Sequence, residues 1–412
     1  MKTLILSIRN LYREPYSVRN VCILMAVLLA SFAISAYAVA TVENAMLSVV
    51  LEFLWLLLTF IFLILRHGEI LKRLKLWIFF KSIKFVGYNR QTPKYQGTEA
   101  INQYLDRVRF HSRIHAKDWE RQLHEMEMFF KAKIHKAVAS DRDIRTMDIH
   151  IVREDLPKLI PWCDSDILDG PKFAIGRSYE GLVEWDLKTD PHATNADSSG
   201  RGKTNCLRYI LRQAILKTYE IVLIDMKGGG DYYGLDNVSG AKVISDPETA
   251  RDVLVSLLTE VRERMAEFKR TGAANVGEYN SMGRYKPKNR ILLAIDEAAE
   301  LLDVKPRDKA DKELYIEFDQ TLRTLARMSR AAGVHLLLEI IRPDATILDG
   351  QIKNNLTFRV CFYLPDAPAS RIVLENDKAT QLSPDIKGRA IVGEDETQTY
   401  FLPVSKWLDF SG

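Results

Sequence analysis

The fold of this chain is decided by the stretch Arg290-Ile291-Leu292-Leu293-Ala294-Ile295-Asp296-Glu297. A short apolar run that ends in two carboxylates is typical of a buried strand whose tip reaches a polar site. At such a tip, Asp296 could hold a magnesium ion directly or through water. Glu297 could orient and deprotonate an attacking water. The alternative is a buried strand whose acidic residues only begin a helix.

A glycine-rich loop upstream supplies complementary groups. It reads Gly200-Arg201-Gly202-Lys203-Thr204, and a predicted helix, Asn205 to Lys217, follows it. Small residues let backbone N–H groups converge on phosphate oxygens at the positive end of a helix. A lysine reaches the terminal phosphates, and a hydroxyl ligates magnesium. The sequence therefore predicts ATP and Mg²⁺ as cofactors, with Thr204 and Asp296 as metal ligands and Gly200, Arg201, Gly202, Lys203, Thr204 and Asn205 at the nucleotide.

The loop departs from the full phosphate-binding pattern at its start. That pattern requires a glycine five positions before Gly202, where this chain has Asp197. A carboxylate close to bound phosphates is electrostatically unfavourable. The preceding residues, Ala193 to Ala196, also make a weak buried strand.

Apolar runs alternate with helical patterns from about residue 170 onward. This alternation predicts an α/β fold, a mostly parallel sheet with helices on both faces. The predicted strands are Ile221–Asp225, Ile291–Asp296, Val334–Glu339 and Phe358–Tyr363, and the predicted helices include Asp246 to Arg270 and Leu314 to Arg330.

Two further runs are candidates for the same site. Ile221 to Asp231 is a strand that leads into a charged, glycine-rich loop, either a loop at the site or pore wall or a plain strand-to-helix turn. In the run from Arg330 to Pro343, a helix ends at Gly333 and a buried strand follows. Its tip carries Arg342, at the position of a phosphate sensor, so Arg342 joins the predicted nucleotide-binding residues.

In their order and spacing, these motifs resemble the FtsK/SpoIIIE family of DNA motors, over about Phe173 to Val392. The resemblance is carried by Phe173-Ala174-Ile175-Gly176, Val183-Glu184-Trp185-Asp186-Leu187, Pro191-His192, Asp225-Met226-Lys227-Gly228-Gly229, Ile295-Asp296-Glu297, the run from Arg330 to Pro343, Ile352-Lys353-Asn354-Asn355 and Arg359.

The resemblance implies a RecA-like P-loop NTPase motor domain over residues 151–412. It also implies a ring homo-hexamer with DNA, single- or double-stranded, gripped through its backbone in the central pore. ATP would bind at subunit interfaces, where a neighbouring subunit would supply an arginine finger, Arg330 or Arg327. The predicted catalytic residues are Lys203, Asp296, Glu297 and Arg330.

Three departures from the family pattern fall in the nucleotide site. Asp197 replaces the first loop glycine, and Ala193-Thr194-Asn195 replaces a branched-aliphatic strand. Glu339-Ile340-Ile341 stands where the family usually has Ala-Thr-Gln, so the polar sensor is missing. Reduced hydrolysis or altered coupling to transport is the resulting hypothesis.

Two apolar runs near the start predict a transmembrane hairpin within residues 1–66. They are residues 21–40 and 46–65, each of about 20 residues, enough to span the hydrocarbon core as a helix. Lysines and arginines flank both outer ends, and the connecting loop carries only Glu43. The positive-inside rule therefore predicts a two-span protein of the cell membrane with both termini in the cytoplasm. A cleaved secretory signal is the alternative for the first run.

Residues 67–150 are expected to form a basic, mainly helical juxtamembrane segment. Between Arg66 and Lys136 there are sixteen Lys or Arg residues against seven Asp or Glu. Mixed three- and four-residue apolar spacings from Thr98 to Val138 favour helix. The basic charge could face anionic membrane lipid or DNA phosphates, or belong to an ordinary solvated helix.

The amino-acid composition narrows the class of protein only slightly. The net charge of +4 neither demands nor excludes a nucleic-acid partner. The four cysteines are far apart and form no CxxC pair, which argues against a disulfide framework or a zinc site. A reducing cytosolic environment for most of the chain fits this pattern.

By analogy within the family, a short motor with two spans is similar to the TcpA-like coupling proteins of Gram-positive conjugative elements. The chain ends about twenty residues after Val392, which we interpret as leaving no room for a DNA-orienting winged-helix module. A relaxase and other conjugation-channel proteins are then the expected partners. The alternatives are an ATPase of a type VII-like protein secretion system and a catalytically weak membrane receptor for DNA or relaxase.

Overall fold

The computed structural model describes residues 50, 53–55, 57, 72–87, 90–140, 143–228, 230–304, 306–344, 347–348 and 350–410. The chain divides into two compact units, Met1–Asp155 and Leu156–Gly412. The predicted spans, 21–40 and 46–65, lie outside the described residues except at 50, 53–55 and 57. In the part of the chain that is described, no helix has both the length and the apolar character needed to cross a membrane.

The first unit contains a four-stranded antiparallel sheet in the order β1-β2-β4-β3. Its strands are β1 (Lys94–Ala100), β2 (Leu105–His111), β3 (Ile134–Ser140) and β4 (Asp143–Val152). Its helices are α1 (residues 72–82), α2 (Ala116–Arg121) and α3 (Leu123–Phe130). An aromatic core joins helices to sheet, with Phe80, Phe110 and Trp119 fully buried.

The expectation of a mainly helical segment over residues 67–150 is wrong. Between Thr98 and Val138, only α2 and α3 are helical, and the rest is strand or loop. In β2, Val108 and Phe110 point into the core, while Arg107 and Arg109 alternate with them on the other face. This period of two is the signature of a half-buried strand, and the mixed apolar spacings around it obscure it in the sequence.

Part of the basic charge of the first unit is neutralised internally. Arg109 makes a bidentate ion pair with Asp148, with N–O distances of 2.8 Å and 3.0 Å. Arg107 pairs with Glu99 at 2.5 Å. These cross-strand pairs use charge that the sequence had left available for lipid or DNA.

The second unit contains one large mixed sheet in the order β10-β9-β11-β12-β8-β13-β14-β15-β6-β7, with β5 beside β15. Neighbours from β10 to β13 pair in parallel, and those from β13 to β7 pair antiparallel. The strands are β5 (Ile160–Pro161), β6 (Lys172–Ser178), β7 (Gly181–Asp186), β8 (Ala193–Asp197), β9 (Glu220–Asp225), β10 (Ala241–Ile244), β11 (Ile291–Asp296), β12 (Val334–Ile341), β13 (Phe358–Phe362), β14 (Arg389–Val392) and β15 (Asp395–Phe401).

Helices cover both faces of the parallel part, as predicted. The helices are α4 (Lys203–Leu216), α5 (Pro247–Thr271), α6 (Val276–Ser281), α7 (Ala299–Leu302), α8 (Lys309–Met328), α9 (Gly350–Lys353) and α10 (Ala367–Leu374). Alternate residues of β11 serve two cores: Leu293 packs with residues of α5 and α8, and Leu292 with residues of α4. A strand buried on both faces is mostly apolar, which explains the uninterrupted run from Ile291 to Ile295.

The predicted strands and helices of this unit are confirmed, with small changes in their bounds. β11 has the predicted bounds, β12 continues two residues further, and α5 covers the stretch predicted from Asp246. Asp246 caps α5 by accepting the Thr249 N–H at 2.8 Å, and Pro247 occupies the first turn. Because β8, β9, β11, β12 and β13 are parallel, their carboxyl ends meet at one edge of the sheet.

The start of the second unit is tied to its sheet by one buried arginine. Arg389 of β14 donates to Gln398 at 2.9 Å and to Glu396 at 2.6 Å. It also donates to the carbonyls of Leu156 and Pro157, at 3.1 Å and 3.2 Å. The guanidinium thus joins the entry of the unit to β14 and β15.

Candidate nucleotide site

The glycine-rich loop lies between the tip of β8 and the start of α4, at the edge where the parallel strands end. Gly200 has φ +70° and Gly202 has φ +132°, and the second value is open to glycine almost alone. A Cβ at Gly202 would lie 3.0 Å from the Gly388 backbone, whereas a Cβ at Gly200 would meet nothing within 4 Å. One glycine therefore allows close backbone packing, and the other faces open space.

Lys203 begins α4 and points into a buried cluster of acids. Its Nζ lies 3.1 Å from Asp296 Oδ1 and 3.1 Å from Glu339 Oε2. Burial alone lowers the pKa of Lys203, but the charges of Glu339, Asp296 and Asp197 outweigh it and raise that pKa above its ordinary value. The lysine is therefore a fixed cation at the sheet edge.

Glu297 follows Asp296 and is held by two donors. The Ile341 N–H donates to its Oε1 at 3.2 Å, and Lys227 Nζ lies 3.5 Å from its Oε2. Burial raises the pKa of Glu297, and the Ile341 N–H, Lys203 and Lys227 lower it. A buried carboxylate with a raised pKa is a stronger base than an exposed one, which suits proton abstraction from water.

Backbone strain is concentrated at the ends of three adjacent strands. Ser199 after β8, Arg342 after β12 and Glu297 after β11 have φ of +76°, +53° and +63°. Non-glycine residues in this region cost about 1–3 kcal/mol each and cluster at functional sites. The backbone strain shared by these three residues identifies this edge of the sheet as a candidate functional site without reference to any sequence motif.

The donor set fits a nucleoside triphosphate and a magnesium ion. The first N–H groups of α4 have no partners within the helix and are available to phosphate oxygens. The hydroxyl of Thr204 stands in the same first turn, and the carboxylate of Asp296 lies at the tip of β11. Hard oxygen donors of this kind suit magnesium, which would supply charge neutralisation at the phosphates when bound.

Two residues predicted to bind the nucleotide, Asn205 and Arg201, lie at the loop, but their side chains contact other parts of the unit. Asn205 donates to the Tyr400 carbonyl at 2.7 Å and accepts the Leu402 N–H at 3.0 Å, so its side chain fixes α4 to β15. Arg201 donates to the Pro384 carbonyl at 2.6 Å. In this conformation both side chains are engaged with groups outside the loop.

Arg342 and Arg330 lie at opposite edges of the sheet. The Arg342 N–H donates to the Asp197 carbonyl at 3.1 Å, which places Arg342 beside the loop, and its side chain is exposed. Arg330 precedes β12 and donates to the carbonyl of Lys188. The eight residues of β12 separate Arg330 from this site by about 25 Å, so it is not part of the site within one subunit.

The sequence reasoning missed two buried members of the site and left a third open. Glu339 was recorded only as a departure, yet it contacts Lys203, and Asn195 donates to it at 2.7 Å. Lys227 lies in the charged loop after β9, for which a loop at the site and a plain turn were both open. Its contact with Glu297 favours a loop at the site. A charged residue inside an otherwise apolar strand was the available signal for Glu339.

The fold and this site define a P-loop nucleoside triphosphatase-like α/β protein with a mixed, mostly parallel sheet. The sequence model of the FtsK/SpoIIIE family matches residues 172–345. The structure is also similar to that of the pCW3 conjugation coupling protein TcpA in its monomer form with ATPγS. That similarity has 30% identity and a TM-score of 0.61, and covers 81% of this chain and 96% of that one. The chain belongs to the FtsK/SpoIIIE family.

Two further relatives show the extent of the likeness. The DNA translocase FtsK of Oceanobacillus iheyensis is 30% identical over 226 residues, which are 51% of this chain and 28% of that protein. This chain thus spans a third or less of the curated relatives that it matches. ATPases 2 and 3 of EssC from Geobacillus thermodenitrificans have a TM-score of 0.51 at 17% identity, covering 63% of this chain and 49% of that one. This second likeness shows a shared fold alone.

Proposed function

We propose that this chain is an ATP-driven DNA translocase that couples DNA to a conjugative transfer channel. The observation that carries the proposal is the convergence of Lys203, Asp296 and Glu297, which are distant in sequence, at the mouth of the glycine-rich loop. These are the cation, the metal ligand and the base that phosphoanhydride hydrolysis needs.

Each group has a separate task in this mechanism. Lys203 and the first N–H groups of α4 bind and orient the phosphates. Glu297, held by the Ile341 N–H, aligns the attacking water and takes its proton. Burial of the cluster keeps bulk water away from these charges, which strengthens their interaction with the phosphates.

The coupling role is supported by the TcpA likeness, because TcpA is a conjugation coupling protein and its structure contains ATPγS. The likeness extends over nearly all of that chain, whereas the EssC likeness covers half of its own chain at lower identity. A type VII-like secretion ATPase is for this reason the weaker proposal. Relaxase and channel proteins follow as proposed partners.

The assembly and location of the protein form a second part of the proposal. We infer a homo-hexamer around DNA, in which Arg330 of one subunit completes the nucleotide site of its neighbour. Its position at the sheet edge opposite the loop is compatible with this role, since head-to-tail packing brings opposite edges together. We also infer anchorage in the cell membrane through residues 21–40 and 46–65.

DNA-stimulated ATP hydrolysis by the full-length chain tests the function. We expect hydrolysis that rises with added DNA, and a loss of at least about a hundredfold in Lys203→Ala and Glu297→Gln. The matched controls are Lys242→Ala and Glu263→Gln, at exposed positions outside the site. Hydrolysis that responds to a secreted substrate peptide and not to DNA would favour the secretion ATPase. If conjugative DNA transfer persists in the Glu297→Gln variant, the result would favour a membrane receptor that does not need ATP hydrolysis.

A further inference from the structure

A row of three buried polar side chains crosses the base of the nucleotide site. Asn195 of β8 donates through Nδ2 to Glu339 Oε1 at 2.7 Å, and Glu339 Oε2 lies 3.1 Å from Lys203 Nζ. Asn195 and Glu339 have no exposed surface, and Lys203 is 3% exposed. We call these three residues the buried row.

The register of the sheet makes the contact between Asn195 and Glu339 direct. The two residues are aligned partners on the parallel strands β8 and β12. Glu339 Oε1 accepts the hydrogen bond from Asn195, whereas Oε2 lies at ion-pair distance from Lys203 Nζ and has no hydrogen-bond partner among the described residues. Glu339 is therefore built into the sheet as a counter-charge for the lysine.

The Nδ2 group of Asn195 donates to Glu339, and the same side chain lies beside the buried Cys206 thiol. Among the residues that the structure describes, Asn195 Oδ1 has no hydrogen-bond partner. Burying the unpaired Oδ1 of Asn195 is costly, and the hydrogen bond from Nδ2 to Glu339 offsets part of that cost. The other end of Asn195 holds Glu339 in place.

We propose that Glu339, positioned by Asn195, restrains Lys203 in the nucleotide-free site and competes with ATP phosphates for it. Lys203 is already shared between Glu339 and Asp296 at equal distances of 3.1 Å. Nucleotide binding must redirect the ammonium to the phosphates and leave Glu339 without it. Glu339 is thus a positioning residue that lowers the affinity for nucleotide and ties binding to a rearrangement of the buried row.

This inference rests on the proposed function, since it concerns the same nucleotide site. The test is calorimetric titration of the full-length chain with ATPγS and MgCl₂, at a pH above the value of about 8 to which burial raises the pKa of Glu339. Glu339→Gln should bind ATPγS more tightly by at least about tenfold, because it removes a charge that attracts Lys203 at close range. Glu263→Gln, an exposed change on α5, should leave the affinity unchanged.

A double variant tests the same inference if the single substitution at Glu339 impairs folding. Asn195→Val with Glu339→Ala removes both polar partners together, which avoids stranding one of them. It should also bind ATPγS more tightly, and its thermal stability should exceed the value expected from adding the two single changes. A structural role alone would change stability without changing affinity.

The outcomes separate this inference from the proposed function. Unchanged or weaker binding in Glu339→Gln and in the double variant overturns the restraint, and weaker binding would identify Glu339 as a group that supports the bound metal instead. Failure of the unaltered chain to bind ATPγS, or equal binding by Lys203→Ala, would overturn the proposed nucleotide site itself.

Discussion

The close backbone packing at Gly202 predicts a large effect from a single methyl group. In Gly202→Ala, the new Cβ would lie 3.0 Å from both Cα and N of Gly388 and 3.2 Å from the Phe362 ring. The φ of +132° adds strain of about 1–3 kcal/mol, and overpacking against backbone adds about 1–3 kcal/mol. We therefore expect the free energy of unfolding to fall by about 4 kcal/mol, the middle of the summed range.

Gly200 provides the matched control two residues away. Its φ of +70° carries strain for alanine, but the space around a Cβ is open. Gly200→Ala should therefore cost about 1–2 kcal/mol, the ordinary penalty of the left-handed region. The pair thus compares a glycine with backbone strain alone, Gly200, with one that combines strain and close packing, Gly202.

Urea denaturation of the full-length variants, followed by tryptophan fluorescence, measures both costs. ATPγS titration should show a loss of about a hundredfold for Gly202→Ala, because a shift of about 1 Å misaligns the loop N–H groups. Equal destabilisation by the two substitutions, or unchanged ATPγS affinity in Gly202→Ala, would refute the packing argument.

Three other predictions follow from contacts around the sheet. Lys227→Ala should raise the pKa of Glu297 further, because it removes a cation that lowers this pKa. The acid limb of the pH–rate profile for ATP hydrolysis should therefore move to higher pH. An unchanged acid limb would contradict the role of this contact. Arg330→Ala should keep ATPγS affinity within about threefold yet reduce hydrolysis at least about a thousandfold, as expected of a finger supplied by a neighbour; normal turnover excludes that role. Arg212→Ala should lower the free energy of unfolding by about 2–4 kcal/mol in urea, because it breaks the paired contacts at 2.7 Å and 2.6 Å that join α4 to Asp164; a loss below about 1 kcal/mol would mean that solvent replaces them.

Four parallel strands of the second unit, β9, β11, β12 and β13, were predictable because their central residues are buried, whereas the antiparallel strands β14, β15, β6 and β7 were not predicted. The segments Ile221 to Ile224 and Ile291 to Ile295 are apolar runs without interruption, and they stand out against the amphipathic helices between them. The tips at Asp296 and Gly202 could be placed at one edge since parallel strands end together. The left-handed φ of Glu297 was not predictable, because it depends on the surrounding packing and not on its residue type.

The first unit shows where periodicity fails. β1 and β2 are half-exposed strands of seven residues, and basic side chains on the outer face interrupt their apolar pattern. Over so short a length, the apolar residues also satisfy helical spacing. The strand pairing is fixed by cross-strand contacts, such as that of Arg109 with Asp148, 39 residues apart. Contacts of this kind cannot be read from a local stretch of sequence.

The buried role of Glu339 lay beyond sequence reasoning for a related reason. In the sequence, Asn195 lies in a weak, partly polar strand and Glu339 in an otherwise apolar one, 144 positions apart. Only the parallel register of β8 with β12 brings them side by side. The position of a charge within one strand was visible, but its partner on the next strand was not.

The bonds from Arg389 to the carbonyls of Leu156 and Pro157 also have a mechanical consequence. A pulling force applied to the chain upstream of Leu156 would reach the domain first at this guanidinium, which Glu396 and Gln398 brace from within the sheet. The two hydrogen bonds to the Leu156 and Pro157 carbonyls would share such a load. The entry point can therefore resist tension and pass it to β14 and β15.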